Sequence, residues 1–170
     1  IFDHDARVVY MARSQRADEP LLRSLATQLG YTPVVFSAFQ TTPEGRQPIY
    51  HTNVMMCVTD TYVVACLDTI DHPQERTDFV ASVEASGKRV LEISEAQKHQ
   101  FAGNMLLVRG SQPKGLLVMS STAFHSLTPE QVAFIEAHHT IVHSHLPTIE
   151  RLGGGSARCM LAEIYLPHQS

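Results

Sequence analysis

The sequence has no tryptophan and only three cysteines among its 170 residues. Cys57, Cys66 and Cys159 are odd in number and form no C-x-x-C pair, so neither a disulfide framework nor a zinc site is signalled. A reducing cytoplasm is the simplest home for such a chain. Charge is sparse as well. Lys, Arg, Asp and Glu make up 18% of the residues, the formal net charge is -4, and no basic arm or stripe marks a nucleic-acid surface. No apolar run reaches the length that spans a bilayer, and the chain opens without a signal-peptide pattern, which argues against a membrane protein.

What is present is a 44% hydrophobic chain of a length suited to one domain with a sizeable core. Residues 7–12 read as a strand. Pro20 opens a helical pattern carried by Leu21, Leu22, Leu25, Ala26 and Leu29, Gly30 ends it, and 32–36 returns as a strand. A loop rich in Thr, Pro and Gly, 40–48, follows. Strands at 49–57 and 61–67, a helix opened by Asp71-His72-Pro73 and a strand at 89–93 come next. The same order recurs, with strands at 101–108 and 116–119, a helix capped by Thr128-Pro129 with Gln131 behind it, and a strand at 140–145.

An α/β chain built from ββαβ units therefore emerges, with a partial unit at 1–40, full units at 49–95 and 101–146, and a closing strand at 155–167. Asn53-Val54-Met55-Met56 returns roughly fifty residues later as Asn104-Met105-Leu106-Leu107 and again as Cys159-Met160-Leu161-Ala162. Val34, Val90 and Ile141 are the matching positions of the closing strands. Such units bury their faces only against neighbours, and they place Asn53, Asn104 and Cys159 at equivalent points. The first unit lacks its leading strand and the last consists only of one. Both would leave open sheet edges, so a preceding segment, in the same chain or in a partner, is expected.

Cys159 follows the hinge Gly153-Gly154-Gly155-Ser156 and leads into an apolar run. That is the setting of a nucleophile, and equally of a buried core thiol. If equivalent strands point to a common axis, His51, Asn53, Asn104 and Cys159 meet near it. A thiolate gains from a nearby imidazole that also supplies a proton, although a strand-end histidine bonded to backbone is the plainer alternative. The asparagines have a plain alternative too, as turn residues. His138, His139, His143 and His145 suggest a metal cluster, but no Cys, Asp or Glu completes the set, and no metal is expected. Cys57 and Cys66 read as core, and Lys88, Arg89 and Lys114 as solvated.

Three segments resemble the guanidino-group-modifying enzymes, which include arginine deiminase, dimethylargininase and the amidinotransferases. They are Ile49-Tyr50-His51-Thr52-Asn53-Val54-Met55-Met56-Cys57, then Phe101-Ala102-Gly103-Asn104-Met105, then Gly153-Gly154-Gly155-Ser156-Ala157-Arg158-Cys159-Met160. The likeness is greatest to amidinotransferase-like proteins related to citrulline hydrolases. The resemblance implies the pentein fold, a fivefold pseudosymmetric α/β propeller of ββαβ modules around a central site, of which this chain would be the C-terminal half.

It also implies roles. Cys159 matches the nucleophile and His51 the catalytic histidine. Arg16, in Ser14-Gln15-Arg16-Ala17, is similar to an arginine that grips the substrate carboxylate, although Ala17 departs from that pattern. Asn53, Asn104, Gly155 and Ser156 would line the substrate, with the glycines letting backbone approach closely. Asn53 stands where arginine deiminases carry an aspartate that holds the guanidinium. A neutral amide both donates and accepts, which shifts weight towards a citrulline-like ureido substrate. The remaining carboxylates of the family's site would precede Ile1.

The expected activity is cysteine-dependent hydrolysis at a guanidino or ureido carbon, with no cofactor. Amidinotransferase and arginine deiminase are the enzymatic alternatives, and a non-catalytic pentein binding module is the alternative of another class. The expected partners are a small guanidino or ureido molecule and the other half of the propeller, with no nucleic acid and no membrane; a homo-oligomer is compatible with the sequence.

Overall fold

The computed structural model describes residues 1–109 and 114–162. Three three-stranded sheets repeat one topology. In each, a short leading strand pairs antiparallel with a middle strand, which pairs in parallel with a closing strand across an intervening helix. The first module is β1 (Phe2–Asp3), β2 (Val8–Arg13), α1 (Glu19–Leu29) and β3 (Thr32–Ser37). The second is β6 (Met56–Val58), β7 (Tyr62–Ala65), α2 (Pro73–Ala85) and β8 (Arg89–Glu92), reached through a hairpin of β4 (Phe39–Thr42) and β5 (Gly45–Pro48). The third is β9 (Leu106–Val108), β10 (Leu116–Ser120), two helices α4 (Ser121–Ser126) and α5 (Pro129–His138), and β11 (Thr140–Ser144). Val34, Val90 and Ile141 pair with Tyr10, Val63 and Leu117, each on a middle strand.

Local signals account for the helix boundaries. Asp18 caps α1 by accepting from the Leu21 N–H at 2.7 Å, and Gly30 ends it at φ 72°, which a side chain would resist. Thr128 and Gln131 form a reciprocal capping box on α5. Ser94 and Gln97 form another on α3 (Glu95–His99), a short helix that the hydrophobic pattern does not reveal because it spans little more than one turn.

Strand alternation distributes the core. All four residues of β7 are buried, but Val63 and Ala65 join Tyr10, Phe36, Phe79 and Val83 between the first and second modules. Tyr62 and Val64 instead join Leu117, Met119 and Ile135 between the second and third. Each module thus closes the core of the next, and period two assigns the sides.

Several expectations need correction. The first module does have a leading strand, at Phe2–Asp3. The loop expected at 40–48 is largely a hairpin, held where Arg46 pairs with Asp71 and Glu95. The strand expected at 49–57 is mostly a loop and a 3-10 turn (Thr52–Val54), and pairing begins only at Met56. Of 101–108, only Leu106–Val108 is strand.

The closing strand expected at 155–167 is absent where it is described. Ala157–Met160 forms a 3-10 turn, and residues 163–167 lie outside the described part. The glycine run and the bonds that hold Ser156 and Cys159 curl this segment instead of extending it. A sixth helix, α6 (Pro147–Leu152), precedes it. The α1 stripe is also less buried than its periodicity suggests. Ala26 is enclosed while Leu21, Leu25 and Leu29 remain exposed.

Lys88 is buried rather than solvated, and its ammonium is paired with the equally buried Asp3 of β1. The Asp3 carboxylate also accepts from the Ala6 N–H. Removing one member of such a pair leaves an uncompensated charge in the interior. Lys88→Met is therefore expected to cost about 3 kcal/mol in urea denaturation, and the double variant Asp3→Asn/Lys88→Met to recover most of it.

Acid sensitivity follows from Glu75 of α2. Burial pushes its carboxyl upward, but the Ser37 N–H and the Arg13 guanidinium outweigh this and hold it below the usual range. A carboxyl depressed on folding stabilises above its unfolded pKa and loses that contribution as pH falls through the folded value. Stability is expected to decline below about pH 4.5, and Glu75→Gln to flatten the decline in a pH series of melting temperatures.

Candidate active site

The leading strands are short, so their approaches stay irregular and bend towards one another. After β5 the chain runs through Tyr50 to His51, the N-cap of the 3-10 turn Thr52–Val54. Thr52 fixes this turn to the first module by accepting from the Ala12 N–H at 2.9 Å. The approach to β9 turns at Phe101, whose φ is 66°, and passes Gly103. A Cβ on Gly103 would stand 2.5 Å from the Val54 carbonyl oxygen, so only glycine lets these two approaches touch.

Asn104 is the joint between them. Its amide is buried, Nδ2 donates to the Asn53 carbonyl at 2.9 Å, and Oδ1 accepts from the Ser156 N–H at 3.0 Å. That assignment aims Nδ2 at Cys159 Sγ, 3.3 Å away. Asn53 Nδ2 also points to the sulphur, at 3.7 Å. Two side-chain N–H donors thus face the sulphur. Asn53 Oδ1 is buried with no hydrogen-bond partner among the described residues.

The cysteine segment is fitted closely around the thiol. Gly154 has φ 68°, and a Cβ on Gly155 would lie 2.6 Å from Cys159 Sγ. Tyr50 donates its hydroxyl to the Gly154 carbonyl at 2.6 Å, joining the histidine segment to the glycine run. Burial and the nearby Cys159 push the Tyr50 phenol upward, which keeps it a donor. Cys159 itself is exposed, whereas Cys57 and Cys66 are buried, and burial pushes the Cys66 thiol up to about 11. Of the three, only Cys159 combines access with donors.

His51 and Arg16 stand together on the other side. Arg16 Nη1 lies 3.4 Å from His51 Nε2, and its guanidinium sits over the Tyr50 ring, 5.8 Å from the centroid. In that contact the guanidinium donates, so Nε2 carries a lone pair. No hydrogen bond joins His51 to Cys159 among the described residues; the Tyr50 ring packs on His51 while its hydroxyl reaches Gly154. A cleft of about 370 Å³ opens here, lined by His51, Asn53, Met56, Met105 and Arg158. A separate cavity of about 730 Å³ is lined by Tyr50 together with Arg13, Ser14, Arg16 and Phe39.

The structure thus gathers Asn53, Asn104, Gly155 and Cys159, and separately His51 with Arg16. Ser156, expected to meet substrate, is fully buried and donates its hydroxyl to Glu150 at 2.7 Å. Tyr50 and Glu150 are contributors that motif reasoning missed. Tyr50 lay in a quoted segment but carries no chemistry recognisable from spacing, and nothing in the sequence ties Glu150 to Ser156.

The four late histidines disperse. His138 bonds the Phe134 carbonyl, His139 sits between Tyr62 and Asp60, and His143 stacks on Phe124. Among the described residues no group of three or more His, Cys, Asp or Glu is placed to hold a metal ion.

Residues 1–166 match the family described as N,N dimethylarginine dimethylhydrolase, eukaryotic. The chain belongs to this family. The dimethylarginine dimethylhydrolases are among the enzymes that its motifs resemble. The solved structures similar to the chain include two of ArgZ. One is apo ArgZ, an arginine dihydrolase from the ornithine-ammonia cycle in cyanobacteria, with a TM-score of 0.69 and 15% identity over 94% of this chain and 23% of that one. The other is the N-terminal domain of ArgZ bound to product, with a TM-score of 0.69 and 16% identity over 94% of this chain and 52% of that one. At such identity the likeness speaks for the fold, a pentein-type arrangement of ββαβ modules.

This dimethylarginine dimethylhydrolase family member therefore spans about half, or less, of the solved chains it resembles. A search of curated proteins finds no match. Among the described residues no helix is long and apolar enough to cross a membrane.

The central role of Asn104 is open to measurement. Asn104→Leu keeps the volume but leaves the buried Ser156 N–H without an acceptor, at a cost of about 1–3 kcal/mol. A lowered urea midpoint is expected, and an unchanged one would show that the amide does not hold the segment.

Proposed function

We propose that the complete protein is a cysteine hydrolase acting on the guanidino or ureido carbon of an arginine- or citrulline-like molecule. The observation that carries this reading is the sulphur of Cys159, accessible and faced by the amide donors of Asn53 and Asn104. Membership of the dimethylarginine dimethylhydrolase family supports it.

In the proposed reaction the Cys159 thiolate attacks the planar carbon and gives a tetrahedral adduct. The C–N bond to the departing amine breaks as His51 supplies its proton, leaving an S-alkyl intermediate. His51 then takes a proton from water, whose oxygen bonds to the same carbon, and the C–S bond breaks to return the thiolate. An amine in place of water makes the reaction an amidino transfer.

Arg16 serves as the carboxylate anchor. A bound carboxylate draws the guanidinium away from His51 Nε2. Asn53 Oδ1, which lacks a partner among the described residues, suits a substrate N–H once the amide turns towards the cleft. The neutrality of Asn53 favours a ureido group at least as much as a guanidinium cation. Retention of both Cys159 and His51 speaks against a purely binding role.

Arginine, N,N-dimethylarginine and citrulline, supplied separately to the complete protein, distinguish the substrates by release of ammonia or dimethylamine and formation of citrulline or ornithine. Turnover of one of them is expected, falling at least about a thousandfold in Cys159→Ser and His51→Ala. Covalent labelling by a halo-amidine is expected to vanish in Cys159→Ser, and its persistence would refute the nucleophile.

A further inference from the structure

Glu150 of α6 lies outside every motif described above. Its Oε1 accepts the Ser156 hydroxyl at 2.7 Å, and its Oε2 accepts the Thr122 hydroxyl of α4, also at 2.7 Å. The carboxylate thus ties the cysteine segment to a helix that stands directly on the third sheet. Ser156 is fully buried, so it has no water to replace this partner. Its own N–H is the donor to Asn104 Oδ1, and that bond turns the Asn104 amide so that Nδ2 faces the sulphur. The Arg158 N–H, one residue before the thiol, bonds the Asn104 carbonyl at 3.3 Å. A continuous relay runs from Thr122 through Glu150, Ser156 and Asn104 to Cys159.

We propose that Glu150 is a positioning residue that sets the place of the Cys159 sulphur, acting through Ser156 and Asn104. Its consequence for turnover rests on Cys159 being the nucleophile; its consequence for the sulphur does not. Without the carboxylate the Ser156 hydroxyl must turn towards another acceptor, which moves the Ser156 N–H off Asn104 and lets the amide rotate. The substrate anchor Arg16 belongs to the first module and is untouched by this change.

The test uses the complete protein and the variants Glu150→Ala, Glu150→Gln, Ser156→Ala and the double Glu150→Ala/Ser156→Ala, each confirmed folded by circular dichroism. Glu150→Ala and Ser156→Ala are expected to lower kcat alike, by about tenfold or more, with KM within about twofold, and the double variant to be no worse than either. Glu150→Gln keeps an acceptor for Ser156, and its side-chain NH₂ can donate to the Thr122 oxygen, so it is expected to restore most of the rate. Alkylation of Cys159 by iodoacetamide, with buried Cys57 and Cys66 as internal controls, is expected to change rate in Glu150→Ala by a similar factor.

Additive losses, or a Glu150→Ala variant that loses only melting temperature, would overturn the proposal. If Cys159→Ser retains full turnover while the alkylation rate still responds to Glu150, the nucleophile assignment fails and the positioning role stands.

Discussion

One side-chain amide holds the centre of this chain together. Asn104 directs its two donors and its acceptor to three different stretches, at Asn53, Cys159 and Ser156. A buried amide left unpaired is costly, so the three approaches cannot separate independently. The tight fit of Gly103 against Val54 and of Gly155 against Cys159 has the same origin, because segments gathered on one amide leave no room for a Cβ.

That convergence is possible because of the way the modules stack. The middle strands β2 and β7 are buried on both faces, and β7 gives alternate residues to two cores. Neighbouring sheets are thereby fixed relative to one another without long connections. The leading strands need only two or three residues of pairing, which leaves their approaches free to turn inwards. The Asp3–Lys88 pair performs a similar service on the outer side, joining β1 to the residue just before β8 in the dry interface of two modules.

The charges and donors around the site fall into two groups with different tasks. Asn53, Asn104 and the glycine run are neutral and shape the surroundings of the sulphur, while Arg16 and His51 carry the ionisable functions. Tyr50 touches both groups, through its ring on one side and its hydroxyl on the other. The separation suits a reaction in which one group makes the covalent bond and the other manages carboxylate and protons. The Glu150 relay reaches the sulphur through Ser156 and Asn104, and Glu150 does not line the cleft beside His51.

Much of this architecture was readable from residue order. The alternation of apolar strands depends on periodicity, and the Thr128–Gln131 box depends on neighbours along the chain. The sequence by itself determined the ββαβ order and made Cys159 and His51 candidates. Tertiary structure decided the rest. It curled 157–160 into a 3-10 turn, buried Ser156 against Glu150 and buried Lys88 beside Asp3. Each of these rests on a partner remote in the chain or on the space left by one, and a hydrogen bond made across the fold leaves no trace in local pattern.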